Sequence, residues 1–359
     1  MKLIPASLGL AALAGALATT SFMAAAQTPT APTPSREMKE VLDALASLDP
    51  KPIEKLTPVE ARKQPTPADA VNAVLKKQDK PTDPQALVPG VKHLDRTIAG
   101  AAGQIPARIY TPDGAGPFPV VVYYHGGGWV IADKEVYDGG ARGLAKEANA
   151  VVVSVDYRLA PEHKFPAAWD DALAAYKWVA ANAASIQGDP KRLALAGESA
   201  GGNLAVATAI AARDAGLQKP MHVVAVYPVA QTSLTTASYN QNANAKPLNR
   251  DMIKWFVDKV TNSPADLKDP RISLVDAKLQ GLPPVTIINA PIDPLADDGA
   301  MLEAALKKAG VPVERRLFEG VTHEFFGMAA VVPKAREAQA YAGARLKSAF
   351  GGTAAMGNK

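Results

Sequence analysis

Two unbroken runs of β-branched residues, Val120-Val121-Val122 and Val151-Val152-Val153, constrain this chain more than any other feature. An apolar run without polar alternation fits a strand covered on both faces, as in a parallel sheet packed between helix layers. Strand patterning recurs at His93–Ile98, Ile105–Tyr110, Phe118–Tyr124, Ala150–Val155, Arg192–Ala196, His222–Tyr227, Val285–Asn289 and Val313–Phe318. Helical patterning falls between the later strands, at Gly139–Ala148, Ala167–Asn182, Gly201–Gly216 and Asp298–Ala309, and closes the chain at Pro333–Phe350. Strands that alternate with helices predict βαβ units and an α/β architecture of eight mostly parallel strands with helices on both faces. The first two strands are separated by too few residues for a crossover, so they are predicted to be antiparallel.

Two glycine-rich stretches interrupt this alternation where strands end. Gly197-Glu198-Ser199-Ala200-Gly201 has the form G-x-S-x-G and joins an apolar strand end to a helix rich in small residues. Such a turn can present a serine on a sharp strand-to-helix corner, with glycines allowing strand and helix to approach. The bland alternative is a glycine-rich turn with a helix-capping serine. His125-Gly126-Gly127-Gly128-Trp129 follows the Phe118–Tyr124 strand. The backbone N–H groups of Gly126 and Gly127, with that of Ala200, are candidate donors to an oxyanion. No G-x-x-x-x-G-K-[ST] pattern accompanies these glycines, which argues against a nucleotide-phosphate cradle.

A serine hydroxyl needs a general base at neutral pH. Of the five histidines, His222 and His323 follow Ser199. His222 opens a strand and is read as a strand-edge residue. His323 follows the last strand on a loop able to carry it over the sheet, and is the preferred base. His125 is read as a residue that orients its own loop. The acid is sought on a loop after a strand. Asp293 follows Val285–Asn289, and its rivals Asp297 and Asp298 fall at the start of the next helix, where N-terminal capping would explain them.

The bulk properties exclude more than they assign. The 359 residues carry 39 basic and 35 acidic side chains, a formal charge of +4. With no block of five like charges, this surplus makes no case for nucleic acid or an anionic membrane. The absence of cysteine excludes disulfides, thiolate nucleophiles and thiolate metal sites. No metal site is expected. At the N-terminus, Lys2, the apolar run Leu8–Met23 and the small residues Ala24-Ala25-Ala26 before Gln27 read as a secretory signal peptide. Export, cleavage after residue 26 and no membrane span in the processed chain are therefore expected.

Residues 27–36 read as a spacer, and helical patterning follows at Ser35–Leu48 and Pro67–Lys77. A long excursion at about 231–282 carries the amphipathic piece Arg250–Val260. The N-terminal helices of 27–90 and this excursion are expected to cap the catalytic domain of 91–350, with 351–359 a flexible tail. Trp129, Tyr157, Trp255, Phe256 and Phe326 are candidate pocket walls, although such residues are more often core.

In combination, His125–Trp129, Asp156-Tyr157-Arg158-Leu159-Ala160-Pro161-Glu162, Phe165-Pro166-Ala167, Gly197–Gly202, Asp293-Pro294-Leu295 and the His323 loop resemble bacterial esterases of the hormone-sensitive-lipase-like group. The resemblance spans residues 90–350. It implies an α/β-hydrolase fold with a helical cap, hydrolysis of small-molecule carboxylic esters with short acyl chains, and no cofactor. A homodimer paired through the last strand is a fold-level analogy. The chain departs from the group at two positions. Glu324 follows the base where the group often has glycine, and Glu198 precedes the serine where aspartate is frequent. Glu198 is read as a conservative change behind the nucleophile, and Glu324 as a carboxylate that either raises the pKa of the base or faces solvent. Asp156, Arg158 and Glu162 are expected to form one network beneath the glycine loop. The expected chemistry is two-step acyl transfer through Ser199, His323 and Asp293. A lactonase or amidase with the same residues is the alternative, and a binding protein on an inactive hydrolase scaffold is the reading from another class.

Overall fold

The computed structural model describes residues 1–2 and 32–351. The signal-peptide reading and the tail after 351 lie outside these residues. Eight strands form one sheet: β1 (Val91–Gly100), β2 (Gly103–Pro112), β3 (Phe118–Tyr124), β4 (Val151–Val155), β5 (Gly188–Glu198), β6 (Val223–Val226), β7 (Val285–Asn289) and β8 (Val313–Leu317). Their spatial order is β1-β2-β4-β3-β5-β6-β7-β8. β1 pairs antiparallel with β2, and β2 with β4; every other pairing is parallel. The α/β-hydrolase architecture and the antiparallel first pair are as expected from the sequence.

The helices are α1 (Arg36–Ser47), α2 (Pro58–Ala61), α3 (Pro67–Lys77), α4 (Pro84–Leu87), α5 (Asp138–Ala148), α6 (Ala167–Asn182), α7 (Ala200–Asp214), α8 (Ala237–Gln241), α9 (Arg250–Val260), α10 (Ala296–Lys308) and α11 (Pro333–Ala349). Local chemistry explains several starts. Ser35 accepts from the Met38 amide at the head of α1, and Asn249 from the Met252 amide at the head of α9. Thr66 and Asp69 close a capping box around Pro67 at the head of α3.

Every residue of β3 and β4 is buried. Successive side chains point to opposite faces, so each strand feeds two cores. Val120, Val122, Val151 and Val153 pack in the core shared with α6, α7 and α10. Val121, Tyr123 and Val152 pack in the core shared with α1, α3, α5 and α11. Burying each such valine contributes on the order of 1.5–3 kcal/mol, which is why these runs fix the centre of the sheet.

The parallel register positions the site. β3 and β5 are neighbours with Tyr124 opposite Gly197, so the loop from His125 and the turn at Ser199 leave the sheet side by side. β7 and β8 end on the same rim, and beyond their last paired residues an isolated parallel bridge joins Ile292 to Thr322. That bridge sets Asp293 beside His323. In an open α/β sheet the carboxyl ends of parallel strands are where loops converge on a ligand.

Candidate active site

Ser199 sits at φ 57°, ψ −117°, a backbone conformation that non-glycine residues rarely adopt. Such a conformation costs on the order of 1–3 kcal/mol and persists only where the surroundings enforce it. Here the Ser199 amide donates to the Val226 carbonyl at 2.8 Å, while its own carbonyl accepts from Asn203 and Val229. The flanking glycines make the corner possible. A Cβ on Gly197 would collide with the backbone of Gly201, and one on Gly201 with the carbonyls of Tyr124 and His125. The Ser199 side chain does not cap α7. It is turned to His323, whose Nε2 lies 2.9 Å from Oγ.

His323 Nδ1 lies 2.7 Å from Asp293 Oδ2, and Asp293 Oδ1 accepts the Leu295 amide at 2.8 Å. A carboxylate that only accepts fixes the proton on Nδ1 and leaves Nε2 free to take the serine proton. Ser199, Asp293 and His323 are all buried. Burial alone would depress the His323 pKa, but the Asp293 carboxylate, helped by Glu324 and Glu198, holds it above the ordinary value.

The glycine loop closes over the serine. Among the described residues no acceptor takes the amide hydrogens of Gly126, Gly127 or Ala200. Gly126 fits because a Cβ there would strike the Tyr137 hydroxyl and sit 3.1 Å from the Glu198 carbonyl oxygen. His125 lies beneath the loop, with Nδ1 donating to the Gly126 carbonyl at 2.8 Å and its ring stacked on Tyr157 at 4.3 Å. Burial lowers its pKa, which suits a neutral hydrogen-bonding ring. His222 is also buried, 2.8 Å from the Thr286 hydroxyl, with its pKa lowered to about 4 by burial.

The two departures have different surroundings. Glu198 is fully buried and accepts from the hydroxyls of Tyr123 and Tyr227. Burial, with the nearby Glu324 carboxyl, raises its pKa to about 8. Its partner Tyr227 packs 4.5 Å from the His323 ring, so Glu198 anchors the surface on which the base rests. Glu324 faces a cavity, accepts from the Tyr137 hydroxyl at 2.7 Å and lies 3.8 Å from His323 Nε2. Burial raises its pKa as well, against the opposing pull of His323.

That cavity, about 280 Å³, opens onto Ser199. One wall comes from the N-terminal segment, including Leu45, Ile53 and Pro65, and another from α9, including Met252, Ile253 and Phe256. Trp129 and Phe256 line it as the sequence suggested. Three other aromatic candidates do not. Tyr157 lies under His125, Phe326 is buried in the core beside α11, and the Trp255 indole N–H donates to the Leu56 carbonyl.

Other expectations are corrected by long-range contacts. Asp298 does not cap α10. It is buried and accepts from the Ala230 and Gln231 amides, while Asp297 accepts from the Ser238 amide. Both carboxylates therefore hold the excursion after β6. Asp156, Arg158 and Glu162 form three separate pairs, with Lys134, Asp171 and Arg62. Sequence reasoning missed Arg62, which donates to the Val130 and Ala160 carbonyls and ties the N-terminal segment to the glycine loop. It also missed Tyr137, which touches Glu324, and Asn242, which donates to the Asp293 carbonyl. No local periodicity marks these three.

Comparison with known proteins places the chain in a family. The α/β-hydrolase fold family matches residues 121–327. Carboxylesterase NlhH of Mycobacterium tuberculosis is 41% identical over 291 residues, covering 79% of this chain and 91% of that protein. An ethyl acetate hydrolase of Pseudomonas putida is 36% identical over 239 residues, covering 65% of this chain and 75% of that protein. The crystal structure of an esterase from Pyrobaculum calidifontis superposes with a TM-score of 0.77 at 37% identity, covering 88% of this chain and 98% of that one. The chain belongs to the α/β-hydrolase fold family, in its hormone-sensitive-lipase-like branch.

Proposed function

We propose that this carboxylesterase cleaves short-chain acyl esters through an acyl-enzyme on Ser199, with His323 as general base and acid and Asp293 as its orienting partner. The observation that carries the reading is the continuous Ser199–His323–Asp293 hydrogen-bond chain beneath a cavity, beside three backbone amides that have no acceptor among the described residues. Ser199 Oγ attacks the ester carbonyl carbon as its proton passes to Nε2. The Gly126, Gly127 and Ala200 amides receive the oxyanion, where each preorganised donor contributes roughly 3–4 kcal/mol to the transition state. The proton on Nε2 then goes to the departing alkoxide oxygen, and water repeats the sequence on the acyl-enzyme to release the acid. The modest cavity supports a small substrate, as does the ethyl acetate hydrolase among the relatives.

In the same reading, the N-terminal segment before β1 and the excursion containing α9 form the cap that bounds substrate size. Export is supported by Lys2, the Leu8–Met23 run and the alanines before Gln27. Among the described residues, no helix is long and apolar enough to cross a membrane. The test is Ser199→Ala, purified and shown to be folded. Its kcat on p-nitrophenyl butyrate should fall by on the order of a thousandfold or more. Retained turnover would remove Ser199 from the reaction.

A further inference from the structure

Glu324 lines the cavity beside His323 and takes no part in the hydrolytic cycle. Its backbone is left-handed, φ 68°, which favours glycine and burdens a long side chain. Its carboxyl nevertheless turns into the cavity. One oxygen, Oε1, accepts from the Tyr137 hydroxyl at 2.7 Å and lies 3.8 Å from His323 Nε2. The other, Oε2, has no hydrogen-bond partner among the described residues. Only 18% of the side chain is exposed.

The position of Nε2 defines what Glu324 can meet. In the esterase reading above, on which this inference rests, Nε2 delivers its proton to the leaving alcohol. The leaving oxygen must then come within about 3 Å of Nε2, a hydrogen-bond distance. A carboxyl 3.8 Å from that same nitrogen borders the alcohol half of the substrate. A donor on the second carbon of the alcohol, gauche to the ester oxygen, sits about 3 Å from that oxygen and can be turned towards the Glu324 carboxyl, whose Oε1 is 3.8 Å from Nε2. Ile53, Trp129, Ile253 and Phe256 supply apolar wall, and the other polar lining residues, among them Lys51, Glu54, Gln231 and Asn249, make no hydrogen bond or ion pair with His323. A hydroxyl brought in beside His323 without a partner would lose its bonds to water, and the Glu324 acceptor offsets the loss.

We propose that Glu324 is a specificity-determining residue that selects esters whose leaving alcohol carries a hydrogen-bond donor on the carbon next to the ester-bearing one, as in monoesters of 1,2-diols. The acceptor oxygen serves a hydroxyl or a protonated amine alike, and the variants separate the two.

The experiment compares kcat/KM for ethyl butyrate, 2-hydroxyethyl butyrate and 2-(dimethylamino)ethyl butyrate in the wild type, Glu324→Gly and Glu324→Gln. The acyl group is common, so kcat/KM reports the acylation step in which the alcohol leaves. Glycine suits the left-handed backbone, and glutamine keeps a neutral acceptor of nearly the same size. The hydroxyethyl-to-ethyl ratio should fall about tenfold in Glu324→Gly and by much less in Glu324→Gln. If the cationic ester is also selected, its ratio to ethyl butyrate falls in both variants. Any effect of Glu324 through the basicity of His323 would slow all three esters alike and leave the ratios unmoved. Unmoved ratios in Glu324→Gly would therefore overturn the proposal while leaving the esterase reading intact. Persistence of all three activities in Ser199→Ala would overturn both.

Discussion

Gly201→Ala tests whether the corner at Ser199 depends on close approach of helix and strand. The new Cβ would lie 2.5 Å from the His125 carbonyl oxygen and closer still to that of Tyr124. Both are backbone atoms at the end of β3, so neither can swing aside as a side chain would. The head of α7 must retreat by about 1 Å to clear the Tyr124 carbonyl, and overpacking of this kind costs about 1–3 kcal/mol or more. The retreat carries Ser199 and the Ala200 amide away from His323 and Gly126. Displacement approaching about 1 Å costs on the order of a hundredfold in rate, because attack requires aligned atoms. Gly327→Ala is the matched control, since its Cβ would meet nothing closer than the Gly140 nitrogen at 3.5 Å. The assay pairs urea unfolding with kcat/KM on p-nitrophenyl butyrate. Gly201→Ala should lose at least about 1 kcal/mol and at least about tenfold in kcat/KM, with Gly327→Ala close to wild type in both. A Gly201→Ala enzyme of wild-type stability and rate would refute the packing argument.

Two further substitutions probe the supports of the site. Glu198 has a folded-state pKa raised to about 8, so it favours folding while protonated. That contribution is complete below the unfolded pKa of about 4.3 and is lost as pH rises towards about 8. Glu198→Gln should therefore flatten this part of the stability–pH curve and gain on the wild type as pH rises, read from melting temperatures; parallel curves would contradict the burial argument. Arg62→Ala removes the donors to the Val130 and Ala160 carbonyls and the ion pair with Glu162. The half-exposed pair adds little, and the carbonyl bonds should account for a loss of about 1–2 kcal/mol. Hydrogen exchange should accelerate at Val130 and across 50–67, and unchanged exchange there would show that Arg62 does not tether the segment.

The parts of this architecture legible in the sequence are those set by local pattern and chain order. Val120–Val122 and Val151–Val153 fit a doubly covered sheet, and the alternation of strand and helix patterns along the chain points to the fold. Ser199 stands out by its G-x-S-x-G corner, and Asp293 and His323 by following it in chain order on loops after strands; the structure brings the three within hydrogen-bond distance. Residues whose position depends on partners far along the chain were misread or missed. Asp298 looked like a helix cap because its nearest sequence neighbours start α10, yet its bonds go to residues 230 and 231. Trp255 and Phe256 are adjacent on α9, but only Phe256 faces the cavity, a distinction set by how α9 docks against the N-terminal segment. Arg62 and Tyr137 meet the site from distant segments, and their immediate sequence carries no sign of it. For Glu324 the sequence marked an unusual carboxylate beside the base, and the structure gave its direction, into the cavity and against Tyr137.

Covalent capture of the nucleophile tests the central claim most directly. The folded enzyme is treated with a p-nitrophenyl alkylphosphonate, whose phosphorus mimics the tetrahedral acyl centre, and the labelled protein is digested and mapped by mass spectrometry. One phosphonyl group per chain should be found, on Ser199, with activity lost in proportion to labelling and no label after unfolding or in Ser199→Ala. Stoichiometric inactivation with the label on any other residue would contradict the assignment of Ser199, and with it the acyl-enzyme mechanism built on His323 and Asp293.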